Sequence, residues 1–269
     1  MRRLSPRALA AFPFVFTALA ALLLATVGEA ARPTVLSVEV ETAKLAAMIG
    51  LGAAALTFDR TDYLRRGWGL SAACYALLLA RDAWLFASPG PGSEALETAR
   101  GLLVVVGNGC LAIGTWSLSR AFERAGLEYT ASPSLRRGVI ALAVVAALLF
   151  AGPAVWFDAR AALGPGSGRW WPVASDLGDM LALPLLAPVV LTALAVRHGS
   201  LRWPWALLAA SLLAWLLYDA ALTIPDVLHL EGRAFRFAGE CFRMFAATAA
   251  CGAGLAQRRA VVVDDDDSG

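Results

Sequence analysis

The chain is poor in the residues that soluble proteins use to meet water and to do chemistry. It has one lysine (Lys44), one asparagine (Asn108), one glutamine (Gln257) and two histidines, His198 and His229. Charged residues make up 16% of its 269 positions, well below the roughly one quarter that a soluble domain needs. That shortage excludes disorder, disulfide-stapled secretion and nucleic-acid binding as leading classes. The scarcity of imidazole removes most histidine-based metal sites and proton relays, and both histidines fall in expected loops. The four cysteines, at 74, 110, 241 and 251, form no CxxC pair and lie in apolar stretches, so they read as small core residues. No cofactor is expected.

Apolar residues are abundant, at 59% of the chain with a mean hydropathy of +0.64. This composition predicts an all-α polytopic membrane protein. Eight stretches are long enough to cross a hydrocarbon core that requires about 20 apolar residues. They are 8–27, 36–58, 68–86, 101–118, 139–157, 173–196, 203–224 and 235–256. No loop between them has room for a soluble catalytic or binding domain, so function must reside in the bundle. Apart from Lys44, the basic residues are 22 arginines, a bias typical of a GC-rich bacterial coding sequence, and the expected location is the bacterial inner membrane.

Arginine placement sets the orientation, because basic residues in short loops stay on the cytoplasmic side. Fourteen arginines flank the ends that share a side with the N-terminus, among them Arg65, Arg66, Arg136 and Arg137, and six flank the opposite ends. Both termini are therefore expected in the cytoplasm. Arg2 and Arg3 followed by an apolar run resemble a cleavable signal peptide. The run is 20 residues, longer than the roughly 7 to 15 of a signal core, which favours a retained helix. Residues 260–269, with four aspartates at 264–267, read as a disordered acidic tail.

Sliding the chain against itself by 137 residues lays 65–85 over 202–222 with nine identities, including Arg65 on Arg202, Trp68 on Trp205 and Asp82 on Asp219. The expected organisation is two tandem four-helix units, 1–130 and 131–259. An even number of spans per unit makes the repeats parallel, related by an axis along the membrane normal.

Ionisable groups within a bilayer are expensive unless paired or hydrated, so each one marks a candidate site. Asp82, Asn108, Asp176, Asp179, Asp219, Glu240 and Arg243 gather toward the extracytoplasmic ends of their spans. Arg236, Glu240 and Arg243 share one helical face at i, i+4, i+7, and Arg243 stays charged in any setting, so it requires an anion nearby. Pro184 and Pro188 interrupt the sixth span, while Gly50 and Gly52 occupy the corresponding part of the second. Paired interruptions of this kind hint at broken helices around a transporter site. Gly50 with Ala54 and Cys110 with Gly114 suit close helix packing.

These features predict an extracytoplasmic polar cavity for a small polar solute or ion, with membrane lipid as the surrounding partner. One alternative is a structural or signalling subunit acting through a protein partner or as a homo-oligomer. Another is a membrane-embedded enzyme with paired carboxylates. Asp176-Leu177-Gly178-Asp179 and Tyr218-Asp219 resemble fragments of intramembrane aspartyl proteases, but in reversed order and without the PAL sequence of that family. A last span without lysine excludes a retinal Schiff base there.

Overall fold

The computed structural model describes residues 5–87, 94–124, 131–164, 170–196, 199, 201–228 and 232–266. His198, His229 and the last three residues lie outside them. The described residues are helical without a strand. The helices are α1 (Pro6–Thr26), α2 (Arg32–Ala55), α3 (Tyr63–Ala87), α4 (Glu94–Ser119), the short α5 (Ala121–Arg124), α6 (Pro133–Phe150), α7 (Gly152–Ala162), α8 (Trp171–Ala182), α9 (Leu186–Ala195), α10 (Arg202–Leu228) and α11 (Arg233–Asp266).

Local chemistry explains several boundaries. Ser5 and Ser132 cap α1 and α6 by accepting the backbone N–H of Ala8 and Leu135, each followed by a proline in the first turn, where its missing N–H costs nothing. Ala151 separates α6 from α7, whose first turn holds Gly152 and Pro153. Pro184 and Pro188 cannot donate to the carbonyls four residues back, and α8 gives way to a 3₁₀ turn, Leu183–Leu185, before α9 begins. The corresponding expectation for α2 is corrected. That helix runs unbroken through Gly50 and Gly52, and Gly50 serves contact instead of a break. α11 continues to Asp266, through the first part of the segment expected to be an unstructured tail.

Among the described residues, five helical stretches are long and apolar enough to cross a membrane: α1, α3, α4, the α6–α7 pair and α10. The other three stretches expected as spans are α2, the α8–α9 pair and α11. α2 carries Glu39, Glu41 and Lys44, α11 carries Arg236, Glu240 and Arg243, and the proline-bearing 3₁₀ turn divides the third. The outer surface of the bundle is apolar, with Phe14, Leu19, Leu142, Leu149 and Trp156 widely exposed, as a hydrocarbon surrounding requires.

Six helical rods close into a ring. α2 packs on α3, α3 on α4, α4 on α8, α9 on α10, α10 on α11, and α11 returns to α2. α1 lies outside against α11, while α6 and α7 lie outside against the 3₁₀ turn, α9 and α8. At one level the ring is filled by an apolar core including Leu51, Trp68, Tyr75, Leu118, Trp205 and Leu208.

Two contacts bring backbones together without intervening side chains. A methyl on Gly50 would lie 2.6 Å from the carbonyl oxygen of Cys251, and one on Gly254 would collide with the carbonyl of Gly50, so α2 and α11 touch directly. A methyl on Gly114 would lie 2.9 Å from the Gly67 carbonyl, which gives α3 and α4 a similar seam. Gly50 and Gly114 thus take the packing roles expected of them.

Candidate ligand cavity

Above the apolar core the ring encloses a cavity of about 280 Å³, near the lower end of the range for small-molecule sites. Each of the six rods contributes to its wall: α2 through Lys44, α3 through Cys74, Arg81 and Asp82, α4 through Asn108, α8 through Ser175 and Asp176, α10 through Trp215, Tyr218 and Asp219, and α11 through Arg243. Five of the seven residues singled out from the sequence therefore meet here. Glu240 does not line the wall. It holds Arg243 in an ion pair at 2.5 Å, supplying the anion that the arginine requires. The side chain of Asp179 lies outside the described residues.

Sequence reasoning missed Lys44 as a member of the site. The residue is only 3% exposed, and its ammonium contacts Asp82 Oδ2 on α3 and Glu41 Oε1 at 2.9 Å on its own helix. Arg81 closes on the other oxygen of Asp82, with Nη2 at 2.6 Å and Nε at 2.7 Å. One carboxylate thus receives two cations from two helices, a network in which each buried charge is compensated. Its signal in the sequence was available: Lys44 is the one lysine in the chain and stands i, i+3 from Glu41 within an apolar stretch.

The rest of the wall is held by a hydrogen bond between α4 and α8, a carboxyl pair and edge-on rings. Asn108 Nδ2 donates to Ser175 Oγ at 3.2 Å, tying α4 to α8. The Asp176 carboxyl adjoins Asp158 of α7, a residue not singled out from sequence. Arg243 sits 5.6 Å over the ring of Tyr218, which packs edge-on against Trp215 at 5.5 Å. Among the described residues no three His, Cys, Asp or Glu side chains converge in a way that could hold a metal ion.

Tyr75 and Trp215 join across the ring beside the cavity. Trp215 Nε1 donates to the Tyr75 hydroxyl at 3.0 Å, linking α3 to α10. Tyr75→Phe deletes that acceptor and strands a partly buried indole N–H, so it is expected to lower stability by about 1 kcal/mol. Thermal unfolding in detergent checks this, and an unchanged melting temperature would show that the bond contributes nothing to the bundle.

No family model, curated protein or solved structure matches the chain.

Proposed function

We propose that the chain is an eight-span protein of the bacterial inner membrane, built from two tandem parallel repeats, whose cavity opens to the extracytoplasmic side and binds a small polar solute or ion. The observation that carries this reading is the convergence of charged and polar side chains from all six rods on one cavity.

The repeat draws support from the ring. The 137-residue offset equates α2 with α8–α9, α3 with α10 and, with one added residue, α4 with α11. In ring order each of these pairs stands three places apart, directly opposite. Asp82 and Asp219 both line the cavity, and Trp68 and Trp205 are both buried, as equivalent positions about a central axis would be. The cavity lining lies at the end that the arginine distribution assigns to the outside.

Binding suits the cavity better than passage through it, because Trp68, Tyr75, Leu118 and Trp205 fill the ring on the cytoplasmic side. The test is a melting-temperature screen of the purified protein against ions and small metabolites, beside Asp219→Asn and Arg243→Gln. A ligand of the native state present at 100 times its Kd stabilises by about 2.7 kcal/mol. The expected result is a hit that shifts the wild type and is weakened at least tenfold in both variants. A screen in which nothing shifts the wild type while both variants merely melt earlier overturns the binding reading in favour of a structural role.

A further inference from the structure

At the far end of α2 and α3 from the cavity, the two helices leave an open furrow of about 810 Å³ between them. Small residues form its floor, Gly52 and Ala55 from α2 and Gly69 and Ala72 from α3. A methyl on Gly52 would meet nothing within 4 Å, and one on Gly69 would meet the Ala55 side chain at an ordinary 3.9 Å. Unlike Gly50, Gly114 and Gly254, these two glycines are not kept small by a neighbouring backbone. Helix packing therefore does not account for them.

The furrow lies on the outside of the ring, the face that meets hydrocarbon in a membrane. Leu45, Ile49, Gly52 and Leu56 follow one another at i, i+4, i+7 and i+11 along one side of α2, and the three large members are 45%, 58% and 74% exposed. Gly52 is a notch in an otherwise bulky apolar stripe. On α3, Gly69 and Leu70 share a face with Arg66 at i+3 and i+4, and Ala72 lies about 9 Å further along the axis than Arg66. The peripheral helices cover other sectors, since α1 packs mainly on α11, and α6 and α7 pack on the side of α8 and α9.

The rim of the furrow is basic. Arg60, Arg65 and Arg66 line it beside one carboxylate, Asp62, which accepts the backbone N–H of Leu64 at 2.8 Å at the start of α3. Arg65 donates to the Phe58 carbonyl at 3.1 Å and so closes the loop between the helices. Arg60 and Arg66 are exposed, and among the described residues their guanidinium groups meet no acid and no ring. At the same end Arg120, Arg124 and Arg202 lie over Trp116, Tyr63 and Trp203. The preference of basic residues for one side of a membrane explains arginine at this end, but not a hydrocarbon-facing furrow floored by glycine beneath it.

We infer that the furrow holds one anionic phospholipid, its phosphate on Arg60 and Arg66 and an acyl chain lying over Gly52 and Gly69. Guanidinium and phosphate match as forked donor and acceptor, and basic pockets between spans suit anionic headgroups. Charge and shape select together. A soluble phosphate leaves the apolar floor uncovered, and a lipid with a neutral headgroup leaves three arginines against one aspartate uncompensated. The site is separate from the solute cavity and does not depend on what that cavity binds.

The experiment titrates the full-length protein, stripped of lipid in detergent, with dioleoyl phosphatidylglycerol, dioleoyl phosphatidylcholine and glycerol 3-phosphate, and counts adducts by native mass spectrometry. The first phosphatidylglycerol is expected to bind with a Kd at least about fivefold below that of phosphatidylcholine, and glycerol 3-phosphate, which has no chain, is expected to bind more weakly than either. Replacing both arginines, Arg60→Gln with Arg66→Gln, is expected to remove the preference between the lipids. Gly52→Leu, which completes the apolar stripe in open space, is expected to weaken phosphatidylglycerol at least about threefold while the arginines stay in place. Because a variant can fail to fold, the wild type carries a second readout. Phosphatidylglycerol with a diazirine in its acyl chain is photolysed on the protein, and the labelled peptides are expected to fall within 49–72 and to be lost when unlabelled phosphatidylglycerol is in excess. Equal binding of the two lipids, a preference that survives loss of both arginines, an unchanged Kd in Gly52→Leu, or labels confined to other segments overturns the inference.

Discussion

Lys44→Met is expected to destabilise the bundle by about 3 kcal/mol, because removing one member of a buried ion network strands the others. The lysine is 3% exposed and bridges Glu41 of α2 to Asp82 of α3. Without it, Asp82 keeps only Arg81, and Glu41 is left beside a second acid in an apolar setting. For a chain of this length the loss corresponds to a fall in melting temperature on the order of 10 °C. Combining it with Asp82→Asn should restore part of the loss, since the stranded carboxylate is then neutral. A double-mutant cycle measures that coupling, expected to be at least about 1.5 kcal/mol. Additive losses, with no coupling, would mean that the two side chains do not depend on each other in the folded protein.

The second large effect is steric. Gly254→Val places a side chain where the Gly50 carbonyl already stands, and Gly50→Val drives one into the backbone of Cys251. Neither obstacle is a side chain that can rotate aside, so α2 and α11 must separate along their seam. Overpacking costs about 1–3 kcal/mol in general, and the rigid opposition here argues for about 3. Gly52, two residues away on the same helix, faces open space, and Gly52→Ala is expected to be neutral or to add up to about 1 kcal/mol through helix propensity. Equal effects at Gly50 and Gly52 in detergent unfolding would refute direct backbone contact as the reason for the glycine.

Most of the helix placement was legible in the sequence, because a helical membrane chain must satisfy its backbone internally and so writes its elements as long apolar runs. The cavity was legible through the same physics, since charge inside such runs is rare enough to stand out. Asp82, Asp219 and Arg243 were visible for this reason. Lys44 was visible as an intramembrane charge but not as a wall residue. Which face of α2 turns inward depends on its contacts with α3 and α11, and these cross long sequence separations. The same limit applies to Asp158, whose nearness to Asp176 arises only once α7 folds back along α8. The unbroken course of α2 was not readable either. Glycine permits both a break and a close approach, and the neighbouring Cys251, about two hundred positions away, decides between them.

The α2 and α8–α9 struts, which stand opposite each other in the ring, are mechanically different. α2 is continuous and clamped to α11 by backbone contact at Gly50 and Gly254, so it has little freedom to bend or slide. Its counterpart is two short helices joined by a 3₁₀ turn, with two prolines that have removed backbone hydrogen bonds, and Leu186 at the start of the second segment lines the cavity. Bending compliance is therefore concentrated on one side of the ring. A widening of the cavity would be taken up by the α8–α9 strut at Leu183–Leu185 sooner than by the α2–α11 pair, whose backbones are in direct contact.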